Sequence, residues 1–340
     1  MARPKPIFEK KNILITGGAG FIGSHLCDEL IKKNRVICID NFSTGNVQNI
    51  EHLLKNPDFK FIKHDIAEPL DLDSLPDLEP FKVAFQGVQD VYNLACPTSP
   101  KDYNKFPVET CLANSHGTKN ALDWVVKYQS KFLHLSTSAV YGDPIEDQPL
   151  LEKYWGYIDP IGPRSCYNEG KRYAECLTTN YALTHKIAIK IARVFNTYGP
   201  RMRLTDGRMI PDFVTAAIEN KDLIIYGDGK QVSSYCYIDD LVEGIIKFMN
   251  AEITGPINMG SPKVYTILDI ANKIIEITGS DSKIVYKDPI LFLAKQGVPD
   301  ITWAKEKIGW FPIISLEDGL QRTIDYMKGS KAVGFEQVKI

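Results

Sequence analysis

No stretch of this 340-residue chain approaches eighteen uninterrupted apolar residues, so no membrane-spanning helix is expected. Met1 to Lys11 is polar and rich in lysine, without the apolar run of a secretory signal, and the expected location is the cytoplasm. An excess of one charge is lacking too. Forty basic residues stand against 42 acidic ones, a net of −2, so no basic field calls for nucleic acid and no acidic tail for disorder. The seven cysteines (Cys27, Cys38, Cys96, Cys111, Cys166, Cys176 and Cys236) are odd in number, scattered and never in C-x-x-C. That usage fits reduced thiols and offers no metal-ligand spacing. The six histidines are equally dispersed, and no metal is expected. Internal repeats and low-complexity tracts are missing as well. What remains is a chain long enough to bury a substantial core, as one large domain or two closely joined ones.

Asn12 to Thr16 (N-I-L-I-T) is a short apolar run of buried-strand type. Gly17-Gly18-Ala19-Gly20-Phe21-Ile22-Gly23 follows at once, then a helical pattern with Ile22, Leu26 and Leu30 on one face, ending near Lys33-Asn34. Strand, glycine turn and helix in this order make a dinucleotide fingerprint, here spaced G-x-x-G-x-x-G. Gly17 allows the tight turn, Gly20 lets the backbone approach a pyrophosphate, and Gly23 lets helix and strand pack closely. The helix N-terminus adds amides and a partial positive charge. A second strand, Arg35 to Ile39, ends at Asp40, about twenty residues beyond the central glycine, where an acid binds a ribose diol. With that acid and no adjacent arginine, NAD is favoured over NADP. A third strand, Phe59 to Lys63, leads to Asp65, placed for the adenine amine, and to Ile66. The fourth, Asp90 to Ala95, ends in Leu94-Ala95-Cys96-Pro97, which would run under the cofactor.

Glu68 to Gln89 is longer than a normal connection and dotted with prolines, and reads as an extra helix or a surface loop. A long helix is expected over Val108 to Tyr128, with Asn114 within it, and a fifth strand over Phe132 to Ser136, where His134 reads as a packed core residue. The loop from Gly142 to Arg164, rich in proline, aspartate and aromatics, suits a cover over an active site. A helix then runs to about Thr184, and a strand from Ala188 to Arg193 closes this half. Alternation of this kind implies an α/β fold, a Rossmann-type doubly wound parallel sheet over residues 1–195. Past Asn196 the rhythm breaks into helical runs near 209–220, 239–250, 267–278 and 315–327, with short strands near Ile224-Ile225 and Ile257-Asn258. Residues 196–340 therefore read as mainly a smaller α+β substrate-binding cap, with some segments returning to the first domain.

The chemistry centres on Ser136-Thr137-Ser138, Tyr167 and Lys171. Tyr167 and Lys171 are four apart, so on a helix they share a face, one turn above the other. A phenol with a pKa of about 10 is too weakly ionised to act as a base at neutral pH, and a neighbouring ammonium lowers that value. Together they form a proton acceptor for a sugar or alcohol hydroxyl, with Thr137 or Ser138 holding its oxygen.

The motifs T-G-G-A-G-F-I-G at 16–23, D-N-F at 40–42, A-C-P-T-S-P at 95–100, S-T-S-A-V-Y-G-D-P at 136–144, D-P-I-G-P-R-S-C-Y-N-E-G-K-R at 159–172, R-V-F-N-T-Y-G-P-R-M at 193–202 and P-D-I at 299–301 span nearly the whole chain. In these the sequence resembles the extended short-chain dehydrogenase/reductases, and most of all the UDP-glucuronate decarboxylases. That resemblance implies a retained NAD and oxidation of the C4 hydroxyl of a nucleotide sugar. Tyr167 would take the proton, Lys171 would tune Tyr167 and hold the nicotinamide ribose, and Thr137 would bond the C4 oxygen. Further cofactor contacts are expected from Phe21, Ile22, Asn41, Ile66, Leu94 and Ala95. Substrate contacts are expected from Pro97, Thr98, Ser99 and Asn196, and from Arg201, Arg208, Tyr226 and Gln231. In the decarboxylases the 4-ketone lies β to the C6 carboxylate, which leaves as carbon dioxide and yields UDP-xylose. The family also implies a homodimer, joined by the helices at 108–128 and 165–184.

Three departures matter. The decarboxylases carry a glutamate directly after S-T-S, where this chain has Ala139. They carry an arginine aligned with Ser233, and usually a basic residue before P-D-I, where this chain has Gln296-Gly297-Val298. Loss of a general acid–base group typically costs about 10²–10⁴-fold in rate, and a serine cannot imitate a bidentate clamp on phosphate or carboxylate. C4 oxidation needs only Thr137, Tyr167, Lys171 and NAD. The expected outcome is accordingly 4-epimerisation or 4-dehydrogenation, with UDP-glucuronate decarboxylation as the alternative and a non-catalytic NAD-binding scaffold as a second one.

Overall fold

The computed structural model describes residues 10–143, 149–204, 207–289 and 297–332. Met1 to Glu9, the part of the expected covering loop at 144–148, and Gln296 lie outside the described residues. Six apolar runs become β1 (Asn12–Thr16), β2 (Arg35–Asp40), β3 (Phe59–Lys63), β4 (Asp90–Asn93), β5 (Lys131–Thr137) and β6 (Ala188–Val194). With a seventh strand, Pro256–Met259, they form one sheet in the order Pro256–Met259, β6, β5, β4, β1, β2, β3. The register pairs Asn12 with Arg35, Val36 with Phe59, Ile13 with Asp90 and Asp90 with Lys131, every one of these ladders parallel. Strand order reverses between β1 and β4, the switch point at which doubly wound sheets bind ligands. This is the Rossmann-type sheet that the alternation predicts. Pro256–Met259, expected among the cap's short strands, lies instead at the edge of this sheet, and just past β6 the Phe195 amide donates to the Met259 carbonyl at 2.9 Å.

By compactness the backbone divides into two units interleaved in sequence. One holds Met1–Pro97, Pro107–Leu135 and Gly170–Ile191, the other Thr98–Phe106, Ser136–Glu169 and Ala192–Ile340. In the first, Leu14, Ile37, Val91 and Phe132 of the strands form a core with Ala121, Leu122, Trp124 and Val125 of the helix Thr118–Tyr128. The stretch from Glu68 to Gln89 is neither an ordinary helix nor a surface loop. Its prolines keep it in short 3-10 turns, Leu72–Ser74 and Pro76–Phe81, before a single helical turn at Val83–Gln86. Its Leu72, Leu78, Phe81, Val83 and Val88 are buried in that same core.

Two helices differ from their sequence patterns. Helix α1 (Phe21–Leu30) stops at Leu30 and buries Gly23, Leu26, Cys27 and Leu30. Ile22 is only half-buried. The expected helix over Val108 to Tyr128 is three segments, α-helical Pro107–Leu112, a π turn at Ala113–Gly117 and α-helical Thr118–Tyr128.

The second unit contains the helices Met209–Ile218, Ile238–Asn250, Ile267–Thr278, Thr302–Ile308 and Leu316–Ala332. Short two-stranded ladders join Leu223–Tyr226 to Ile284–Lys287 and Val232–Ser234 to Val264–Thr266. A buried polar node ties its loops. Asn258 donates to the Leu150 carbonyl at 2.7 Å and to the Asp300 carbonyl at 3.1 Å, and accepts from the Tyr141 hydroxyl at 2.6 Å. Arg193 donates to that same hydroxyl at 3.0 Å and to the Glu152 carbonyl at 2.9 Å. Among the described residues no helix is long and apolar enough to cross a membrane, and no cluster of histidine, cysteine, aspartate or glutamate could hold a metal.

Candidate active site

The glycine turn in the first unit is built by exclusion. Gly17 has φ +70°, and a Cβ there would lie 2.8 Å from the Ala95 amide nitrogen. At Gly23 a Cβ would lie 2.2 Å from the Gly17 carbonyl oxygen and 2.7 Å from Gly18 Cα, so only glycine fits between α1 and the turn. Gly20 precedes α1 without a side-chain cap, and no acid occupies the first turn, so no side chain of the helix competes for its leading amides at Phe21 and Ile22. Thr16 braces the turn from below. Its Oγ1 donates to Asn93 Oδ1 at 2.7 Å and accepts from the amides of Leu94 at 3.1 Å and Ala95 at 3.3 Å.

Asp40 is buried at the end of β2. It accepts from the Ala19 amide at 3.0 Å and the Phe42 amide at 2.8 Å. Burial raises its pKa, and the two amide bonds oppose that rise. Asp65 accepts from Asn41 at 3.0 Å and from the Ala67 amide at 2.9 Å, which joins the acid after β3 to the loop after β2. The Ile66 carbonyl accepts from Asn120 at 2.9 Å, and a Cβ at Gly117 would lie 2.7 Å from the Ile66 side chain.

Lys171 is buried on the helix Ser165–His185 and donates from Nζ to the Leu135 carbonyl at 2.8 Å. Burial lowers its pKa, while Cys96 and Glu175 act in the opposite sense. His134 is buried as well, held well below the ordinary histidine range by burial and then by Lys171, and so neutral. Asn114 sits in the π turn, where its amide donates to the Thr110 carbonyl at 2.9 Å and to Cys96 Sγ at 3.1 Å. A Cβ on Gly170, next to Lys171, would lie 3.0 Å from the Asn114 amide nitrogen.

In the second unit Thr137 ends β5 and accepts from the Ala139 amide at 3.2 Å, which starts the turn Ser138–Tyr141. Tyr167 occupies the first turn of the helix Ser165–His185, buried, with its ring stacked on Tyr103. The expected substrate residues fall into separate pairs. Arg208 donates to Thr98 Oγ1 at 2.7 Å, Asn196 donates to Ser233 Oγ at 2.9 Å, and Gln231 donates to the Tyr226 carbonyl at 3.4 Å. Ser99 caps the helix Pro100–Lys105 through Asp102, which also pairs with Arg203. Pro97 ends the first-unit segment that Thr98 continues, and Arg201 takes the left-handed conformation at φ +69°. Thr16 and Tyr103 carry no role in the sequence analysis, and Asn114 appears there only as a residue of a regular helix. For Tyr103 the A-C-P-T-S-P motif, which ends three residues upstream at Pro100, is the one available signal.

The family model for GDP-mannose 4,6-dehydratase matches residues 14–323. The chain belongs to this family. It is thus an enzyme of the extended short-chain dehydrogenase/reductase type, as its motifs imply. UDP-glucuronic acid decarboxylase 1 of Arabidopsis thaliana is 44% identical over 93% of this chain and 69% of the relative. UDP-glucuronic acid decarboxylase 6 of the same plant is 42% identical over 93% of this chain and 90% of the relative. Among solved structures, UDP-glucuronic acid 4-epimerase from Bacillus cereus, in complex with UDP-glucuronic acid and NAD, is 31% identical. It matches with a TM-score of 0.81 over 94% of this chain and 99% of that one.

Proposed function

We propose that the chain is an NAD-dependent nucleotide-sugar enzyme that oxidises the C4 hydroxyl to a ketone, with 4-epimerisation or 4-dehydrogenation as the outcome. The residues fit the cofactor. The turn closes only with glycine at 17 and 23, the leading amides of α1 are left to a pyrophosphate, and Asp40 ends β2 where a ribose diol is bound. When bound, NAD supplies the two-electron acceptor. Tyr167 then takes the hydroxyl proton, and Lys171, one helical turn on, favours the phenolate. Thr137, with Ser138 beside it, holds the C4 oxygen. Asn196, Arg201 and Arg208 are assigned to the nucleotide sugar, with Pro97, Thr98, Ser99, Tyr226 and Gln231 around them.

The observation that carries the choice of outcome is Ser233. It stands where the decarboxylases have an arginine, is 3% exposed, and accepts from Asn196. A neutral, buried pair of this kind gives a uronate carboxylate no cation, and Ala139 in the turn after Thr137 brings no acid. Decarboxylation stays as the second reading because of the 44% identity to a decarboxylase. The test is NMR of the purified protein with added NAD and UDP-glucuronate. UDP-galacturonate identifies a 4-epimerase, and reduced cofactor accumulating with a keto-sugar identifies a dehydrogenase. A UDP-pentose overturns the proposed outcome in favour of decarboxylation. No change excludes the uronate and moves the assay to other nucleotide hexoses and heptoses. The proposed assembly is a homodimer.

A further inference from the structure

Tyr103 is 1% exposed, yet it belongs to a six-residue helix, Pro100–Lys105, too short to hold itself. Its ring lies flat on that of Tyr167, with centroids 5.3 Å apart and planes 10° from parallel. Three residues of the Tyr167 segment engage it. Arg164 donates from Nε to the Tyr103 hydroxyl at 3.2 Å, Cys166 donates from Sγ to the Tyr103 carbonyl at 3.7 Å, and Tyr167 supplies the stack. The short helix is anchored in turn, because Ser99 donates to Asp102 Oδ2 at 2.7 Å and Asp102 pairs with Arg203. Tyr167 sits in the first turn of its own helix, where helices fray. A phenol there can swing its oxygen by rotation about two side-chain torsions, and a buried, parallel ring against one face removes that freedom.

From this we infer that Tyr103 is a positioning residue for Tyr167, acting through its ring. The inference rests on the proposed function for its consequence in catalysis. For the stack itself it rests on geometry alone. It gives the ring of Tyr103 the work, with the hydroxyl serving only to receive Arg164. Misplacing a reacting group by about 1 Å can cost about 100-fold in rate. Tyr103→Leu should therefore lower kcat about 10–100-fold with KM for the nucleotide sugar little changed. Tyr103→Phe, which keeps the ring, should restore most of that loss.

The test has two arms. In the first, 3-fluorotyrosine is placed at position 167 and its fluorine resonance is followed by NMR without substrate. Stacking predicts the same ring-current shift in the parent and in Tyr103→Phe, and its loss in Tyr103→Leu. A resonance unmoved in Tyr103→Leu overturns the inference, whatever the substrate. In the second, the variants are assayed with UDP-glucuronate or UDP-glucose, whichever the parent turns over. A shifted resonance with unchanged kcat in Tyr103→Leu overturns the positioning role, and so does an equal rise in KM that accounts for the whole loss. A parent inactive on every nucleotide sugar overturns the functional proposal instead, and leaves the first arm to decide the stack.

Discussion

In the proposed reaction Tyr167 serves proton transfer, whereas binding of the dinucleotide calls for the glycines and Asp40 but no phenol. Tyr167→Phe should lower turnover about 10²–10⁴-fold, the usual worth of a general acid–base group. Calorimetry should find its NAD affinity close to that of the parent. Activity that survives the change intact would remove Tyr167 from the mechanism. Asp40 supports a prediction in pH. Its carboxylate is buried, so its pKa is raised, and it accepts from two backbone amides. As pH falls through the raised value the group takes up a proton, and the ribose diol proposed to bind there would lose its anionic partner. NAD affinity should therefore decline at a higher pH than an exposed aspartate would give. The stability term has the opposite sign, since a group that binds its proton more tightly when folded favours the fold as pH falls. Asp40→Asn should weaken NAD binding about 10–100-fold at neutral pH, the worth of hydrogen bonds to a charged group, and should flatten the acid limb. A titration across pH that leaves the limb in place in Asp40→Asn would assign it to another group.

At the level of elements, the legible parts of the chain were those whose physics is local. A fully buried strand announces itself as a continuous apolar run, as in Asn12–Thr16, and a turn that admits no Cβ announces itself as glycine. The π turn at Ala113–Gly117 left no periodic trace, because Ala-Asn-Ser-His-Gly holds no large apolar residue whose spacing could reveal it. Pro256–Met259 read as a minor strand because its partner, β6, ends more than sixty residues earlier. The stack of Tyr103 on Tyr167 is a contact of the same distant kind. Residue types gave the glycines, Tyr167 and Lys171, but Thr16 beneath the glycine turn, Asn114 against Gly170 and Tyr103 on the Tyr167 ring follow from packing alone. Gly23→Ala tests the local part. Its Cβ would meet backbone atoms at 2.2 and 2.7 Å, which cannot give way as a side chain can. We expect a loss of about 1–3 kcal/mol in denaturant unfolding, together with loss of NAD binding as α1 is pushed from the turn. Gly329→Ala is the matched control, in the helix Leu316–Ala332 with open space at the Cβ position. It should gain up to about 1 kcal/mol.

At the level of the whole molecule, two helices carry exposed apolar side chains. Val108 is 64% exposed and Leu112 38% on the helix Pro107–Leu112, and Tyr173 is 51% and Leu183 74% exposed on the helix Ser165–His185. Single exposed apolar residues are ordinary, whereas several on the elements that the family resemblance marks as its dimer contact suit a second copy of the chain as their cover. A symmetric contact buries each such residue twice, once on either protomer, so a change at one position is felt twice. Sedimentation should therefore give a dimer for the parent at micromolar concentration. Leu112→Glu combined with Tyr173→Glu should give a monomer whose far-ultraviolet circular dichroism is unchanged, because neither side chain belongs to the core. A parent that sediments as a monomer would withdraw the dimer. A dimer that persists in the double variant would move the contact to another face.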